Sequence, residues 1–322
     1  MIIESQLFLP YAMIRNYFKI AFRNIARSLS YTIINVSGLS LGITCAILIF
    51  SIITYHLSFD NFHRDTDRIY RFVTEQHRDQ VSHANAVPPA FGLAFRNDYT
   101  FGEKVARTCN LDGQLISLEE NGDVKKFKED LSFAEPEFFQ IFNFPIVAGQ
   151  SKNILAEPNT AVITERMAKK YFADQSPLNK TFRFHSYIDF KIVGVLKDIP
   201  HNTDFRSEIY LSYSTIGKYN EWYAEEDAWG GIASDIQTFA RLQPGVTTTE
   251  VENVLPAYVK KYRAESKNVH HYKLQPINDV HFNPQYHGVM SKTNLSVLGL
   301  IGIFLVITAA LNFINLATAQ AV

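Results

Sequence analysis

The chain has 322 residues, 47% of them hydrophobic, with a formal net charge of −1 and a mean hydropathy of −0.07. That charge, with no basic stripe interleaved with aromatics beyond the N-terminal region, excludes a nucleic-acid binder. The near-zero hydropathy excludes a protein embedded throughout in lipid, yet the apolar residues concentrate in two uncharged runs, 28–59 and 293–322, which no ordinary soluble chain does.

Residues 1–11 are mildly apolar, and Met13 is expected to be the true start. The run from Met13 carries Arg15, Lys19, Arg23 and Arg27, each four apart, with no acid before Ser30. At 100° per residue these bases share one face, and Ile14, Tyr17, Phe18, Phe22 and Ile25 fall on the other. This predicts an amphipathic helix over 13–30 lying in the headgroup plane. A helix solvated on a soluble core is the alternative, set aside because an apolar span follows directly. A secretory signal is set aside because that apolar stretch is too long and lacks a small-residue cleavage site.

The first span is placed at 31–56. Its first half holds Asn35, Gly38 and Gly42, the glycines forming a G-x-x-x-G pair that lets helix backbones approach closely. The positive-inside rule puts the basic N-terminus in the cytoplasm and Asp60 outside. Cys45 lies in this span and Cys109 far away in the next segment, so no internal disulfide is expected.

Residues 57–292 are enough for one large domain or two small ones. Strands are predicted at 68–76, 104–118, 159–164, 181–184, 189–197, 207–212, 233–242 and 272–276, with an Asn121-Gly122 hairpin turn. Helices are predicted at 88–99, 136–142, 164–172 and 247–262, the last two capped by Thr164 and by Thr247 or Thr248. The order suggests an α+β lobe, 57–120 and 205–292, carrying an inserted β-rich lobe at 121–204.

No catalytic set can be defended. There is no G-x-x-x-x-G-K-[ST], no G-x-S-x-G and no C-x-x-C. His270, His271, His281 and His287 invite a metal reading, but the adjacent pair would point to opposite faces of a strand, and plain surface histidines are expected. Asp60, Asp65 and Asp67 lack the glycine and distal Glu of a calcium loop and are assigned to capping and ion pairing. No metal and no cofactor are expected.

The second span occupies 293–322. Thr308, Asn312, Asn315 and Ala319 fall within about 60° of one another on a helix. Asparagines facing lipid would lack partners. They are therefore expected to face the first span at Asn35, Gly38 and Gly42. There they would fix register more than supply stability, since such interhelical bonds average about 0.6 kcal/mol.

Several stretches together resemble the MacB/FtsX-like ABC transporter permeases, above all the Bacteroidetes-type members. They are MIRNYFKIAFRNIARSLSYTIINVSGLSLGITCAILI, YHLSFDNFHRDTDRIYRF, LSFAEPEFFQIFNFPIVAGQ, NTAVITERMAKKYFADQSPLNKTFRF, FKIVGVLKDIPHNTDFRSEIYLSY and LNFINLATAQ. The resemblance covers the chain from Met13. It implies a MacB-like periplasmic core domain between membrane helices, in the bacterial inner membrane. It also implies a permease that turns ATP hydrolysis by a separate cytoplasmic ABC ATPase into mechanical work or export on the periplasmic side. The implied partners are that ATPase, the lipid bilayer, a second permease half or second copy, and a periplasmic adaptor. The chain departs from the family by stopping at Val322, where a basic coupling segment and further spans are expected, so it reads as the N-terminal part of a longer permease. The competing class is a two-span receptor with an extracytoplasmic sensing domain, though no HAMP-like or kinase segment is present.

Overall fold

The computed structural model describes residues 13, 15–17, 19, 20, 23 and 29–319 except 121, 150 and 151. The chain divides into two compact units, one holding residues 1–57 with 292–322 and the other Ser58–Ser291.

The first unit is built on two long helices, α1 (Leu29–Leu57) and α10 (Lys292–Ala319). Their apolar stretches run 26 and 24 residues, long enough at 1.5 Å per residue to cross a hydrocarbon core. Ile34, Phe50, Leu300 and Phe304 are each about two-thirds exposed or more. Water would not tolerate so large an apolar surface, and lipid removes that cost.

The second unit is a mixed α+β domain. In chain order it runs β1 (Ile69–His77), β2 (Val81–Ala84), α2 (Phe91–Asp98), β3 (Gly102–Glu120), β4 (Asp123–Ala134), α3 (Phe138–Ile141) and β5 (Ile146–Gly149). It continues with β6 (Thr160–Thr164), α4 (Glu165–Phe172), β7 (Thr181–Phe184), β8 (Ile188–Leu196), β9 (Ile209–Ser212), α5 (Ile216–Tyr219) and α6 (Glu221–Ala224). It closes with β10 (Ile236–Leu242), α7 (Thr248–Val254), α8 (Pro256–Tyr262), β11 (Val269–Pro276) and α9 (Ile277–Val280). The described strands form one sheet in the order β11-β1-β10-β3-β4-β9-β6-β8-β5, with β2 and β7 off this path. Only β4–β9 and β6–β8 pair in parallel. The β6–β8 crossover carries α4, as parallel neighbours require.

Both sheet faces are buried at β6, which is why it reads as an apolar run, and at the second half of β8, whereas Asp189 and Lys191 keep the first half of β8 alternating. Ala161 and Ile163 enter one cluster with Phe133, Phe184 and Phe190, while Val162 enters another with Phe138, Phe142 and Tyr210. A third cluster, around Phe72, Phe91, Phe95 and Tyr258, packs α2, α7 and α8 on the β11-β1-β10 end. The lobe placed at 121–204 shares its sheet and core with residues on both sides of it, since the first cluster also takes Cys109–Leu118 and Ile209–Ile236.

Local structure departs from the sequence reading, which predicts no element for β4, α5, α6 or α9. The helix expected over 247–262 is two helices, because Pro256 has no N–H for the i→i−4 bond. Thr247 still forms a full capping box with Glu250. The strand expected at 104–118 is longer, with a register shift between Leu111 and Gln114, where Gly113 adopts φ 62°. Two short edge-side strands, β2 and β5, carried no alternating pattern to betray them. Asn121 of the hairpin lies outside the described residues.

Candidate functional site

In the helix pair, α1 and α10 run antiparallel with a tight seam. A Cβ on Gly42 would stand 2.9 Å from the Ala309 Cβ, and one on Gly302 would stand 3.2 Å from Ile49 Cγ2. A Cβ on Gly38 would stand 3.2 Å from Asn312 Nδ2. That amide donates to the Asn35 carbonyl at 3.4 Å, and Asn35 is buried. Small residues therefore set the closeness of approach, and one polar contact sets the register. The seam follows a seven-residue repeat, through Asn35, Gly42 and Ile49 on α1 and through Leu295, Gly302 and Ala309 on α10.

That repeat corrects part of the expected stripe. Ala309 lies 100° round the helix from Thr308, so the seam passes beside Thr308 and Asn315 rather than over them. Both are exposed, and the Thr308 hydroxyl donates within its own helix to the Phe304 carbonyl at 2.8 Å. Asn312 alone of the three meets Asn35 and Gly38. In the N-terminal run Arg15, Lys19 and Arg23 are helical and exposed, and Arg27 lies outside the described residues.

The α+β domain holds a second feature that sequence spacing did not reveal. Three segments converge in it: 58–63, directly after α1; 202–205; and 275–286, shortly before α10. Asp60, with a left-handed φ of 57°, is buried. Its carboxylate accepts the Thr203 hydroxyl and the Asp204 N–H, and its own N–H donates to the Asn202 carbonyl at 3.0 Å. The Asn202 amide donates back to the Ser58 carbonyl and hydroxyl at 3.0 Å each. His63 accepts the Asn143 N–H through Nδ1, which leaves its proton on Nε2, 3.6 Å from Asp60 Oδ1.

On the other side His281 Nδ1 stands 3.1 Å from both oxygens of Asp204, while its ring stacks on Phe59 at 3.6 Å between centroids. Burial raises the Asp204 carboxyl above its ordinary range, with His281 opposing. Arg71, buried in β1, donates to the Gln275 side chain at 2.7 and 3.1 Å and to the Tyr286 carbonyl at 3.1 Å. Burial lowers its pKa to about 10, against the pull of Asp204 and Asp279. Gln275 and Asn283 both donate to Asp279. The arrangement keeps Asp60, Thr203 and His281 buried, with the Thr203 hydroxyl donated to Asp60. It is a buried polar clasp joining the beginning and the end of the domain's chain.

This corrects two expectations. Asp60 is an internal acceptor, not a surface cap. His281 and His270 are both about 2% exposed, so they are not surface histidines. The four histidines do not converge: His270 contacts Asn268 and Tyr272, His281 contacts Asp204, and among the described residues no group of three or more His, Cys, Asp or Glu could hold a metal.

The family that matches residues 32–258 is the MacB-like periplasmic core domain. The chain belongs to that family. A domain described as that of a permease from Porphyromonas gingivalis has the same fold, with a TM-score of 0.58 and 23% identity over 67% of this chain and 92% of its own. More distant are the periplasmic region of MacB from Actinobacillus actinomycetemcomitans (15% identity, TM-score 0.46, 69% of this chain and 94% of its own). The extracellular domain of the noncanonic ABC-type transporter YknZ from Gram-positive bacteria is similar at 12% identity, with a TM-score of 0.41 over 64% and 99%. No curated protein matches the chain. As a member of the MacB-like family, the chain is part of an ABC-transporter permease, a membrane protein with a periplasmic domain, and the family is not itself catalytic. The mixed α+β domain is that periplasmic domain, and the two apolar helices fit as its flanking membrane spans.

Proposed function

We propose that this MacB-like chain is the N-terminal portion of a permease that couples ATP hydrolysis by a separate cytoplasmic subunit to mechanical work or export on the periplasmic side. In this reading it sits in the bacterial inner membrane as a multi-pass protein, with both described helices as spans and the N-terminal basic helix on the cytoplasmic leaflet. Each of Arg15, Lys19, Arg23 and Arg27 contributes about 1 kcal/mol of attraction to anionic lipid. The 13–30, 31–56, 57–292 and 293–322 divisions belong to the same reading, as do a second permease half or second copy and a periplasmic adaptor.

One observation carries it. In the chain the family's periplasmic domain stands between two apolar helices that pack tightly on each other, and the domain's first and last segments are joined by the clasp. A displacement of the spans would thus reach a domain whose two chain ends move together. The test has two arms, both in the full permease with its ATPase. A cysteine at Lys126, in a background lacking Cys45 and Cys109, should react with a membrane-impermeant maleimide in cells with an intact inner membrane. Spin labels at Lys126 in two copies should change their distance when ATP is added. Labelling only after the inner membrane is opened refutes the topology, and an ATP-independent distance refutes the coupling.

A further inference from the structure

The strand β11 ends the sheet, and a groove of about 480 Å³ runs along it beneath α7 and α8. The pairing register fixes which backbone groups face that groove. Leu274, opposite Phe72 of β1, donates its N–H to Glu252 Oε1 at 3.0 Å, so its N–H points away from β1. Alternation along an antiparallel strand turns the N–H and C=O of His270 and Tyr272 the same way. Pro276, which has no N–H, falls on that outward parity too, the position where a strand proline is tolerated.

The wall opposite is the stripe Pro256, Val259 and Lys260 of α8, with Arg263 just past its end. It is basic in a chain whose net charge is −1. Residues 260–273 carry five Lys and Arg against one acid, Glu265. The acid that lines the groove, Glu252, is already occupied by the Leu274 N–H and stands 3.9 Å from Lys273 Nζ. Lys260 makes no hydrogen bond or ion pair among the described residues. Val269 offers an apolar contact at 42% exposure.

We propose that this groove binds an extended, acidic segment of a periplasmic partner protein, which adds to the sheet as a strand beside β11. Backbone pairing to His270 and Tyr272 would supply affinity, and alternate acidic side chains would meet Lys260 and Lys273. A second copy of this chain fits worse, because it would set the same bases against themselves.

The full permease in neutral-lipid nanodiscs is titrated with a fluorescent peptide of alternating Val and Glu, matched to the eight residues of β11. Its Val/Lys counterpart and an N-methylated Val/Glu version serve as controls. Expected is saturable binding of the Val/Glu peptide, about tenfold weakened by Lys260→Glu with Lys273→Glu. The N-methylated and Val/Lys peptides should not bind, and amide-exchange protection should be confined to 268–274. Four results overturn the proposal: equal binding of the N-methylated peptide, equal binding of the Val/Lys peptide, protection elsewhere, or no binding at all. Self-association abolished by the charge reversals would assign the groove to a second copy. Binding of phosphatidylglycerol vesicles in place of the peptide would assign it to an anionic surface. Either of these also overturns it.

Discussion

His281 and Asp204 lie 77 residues apart in the chain, and His281 Nδ1 stands 3.1 Å from both Asp204 oxygens. His281 is buried, with its side chain 3% exposed, and Asp204 is only partly so, at 18%, so removing Asp204 leaves the buried ring without the carboxylate, which costs more than removing both. Asp204→Ala should destabilise the periplasmic domain by about 1–3 kcal/mol, the cost of leaving a buried polar group without its hydrogen-bond partner, and adding His281→Leu should recover part of the loss. Tryptophan fluorescence reads this domain alone, since Trp222 and Trp229 both lie in it. A double variant less stable than Asp204→Ala would show the two residues to act separately.

The same carboxyl sets a pH dependence. Burial raises its pKa above the ordinary 3.8, with His281 opposing. The folded state therefore holds this proton more tightly than the unfolded one. The contribution favours folding below the ordinary value and is lost as pH rises through the raised one. Asp204→Asn should remove that slope, so the stability of wild type relative to the variant should fall with rising pH across this window. A constant difference from pH 3 upward would contradict it.

His270 runs the other way. Burial, then the charges of Arg263, Arg78 and His271, lower its pKa from 6.5 to about 4. The folded state prefers the neutral ring, so this stability is complete above 6.5 and is lost as pH falls through about 4. Acid unfolding curves of His270→Gln should be flatter than wild type between those values.

Glu135 joins the end of β4 to two arginines. It accepts from Arg107 at 2.7 Å and from Arg96 at 3.3 Å. Burial alone would raise its pKa, but the Arg107 charge and hydrogen bonds, with Arg96, outweigh burial and lower it. Its stabilisation is present above the ordinary 4.5 and lost as pH falls through the lowered value. Glu135→Gln leaves two guanidinium groups short of charge and should cost about 3 kcal/mol at neutral pH, measured by urea unfolding.

At the helix seam, Gly42→Leu must displace Ala309, whose Cβ would stand 2.9 Å from the first added carbon. Overpacking of this kind costs about 1–3 kcal/mol. Disulfide formation between cysteines at positions 38 and 312 should drop sharply in Gly42→Leu, while Thr308→Leu, off the seam, should leave it unchanged.

Local chemistry made much of the fold legible. Thr164 and Thr247 cap helices because a hydroxyl at that position satisfies an orphan N–H, a relation within three residues. The β6 run is apolar because both faces of the strand are covered, and β8 alternates at Ile188–Ile192 because one of its faces is open there. The clasp had no sign in the sequence, since nothing in its spacing joins Asp60 to Thr203 across 143 residues. The five bases of 260–273 stand in the sequence but were passed over there, because which of them face a groove depends on the parity of β11 against β1.

What the sequence by itself determined were the two long apolar helices and the mixed α+β character of the domain between them, because length, hydropathy and periodicity are properties of contiguous residues. Tertiary structure alone decided which polar groups are buried. It put Asn312, not Thr308 or Asn315, against Asn35, and it buried His270 while exposing its neighbour His271. A helix has one face toward its partner and a strand has two, and only the packed neighbour settles which residue of a candidate set that face receives.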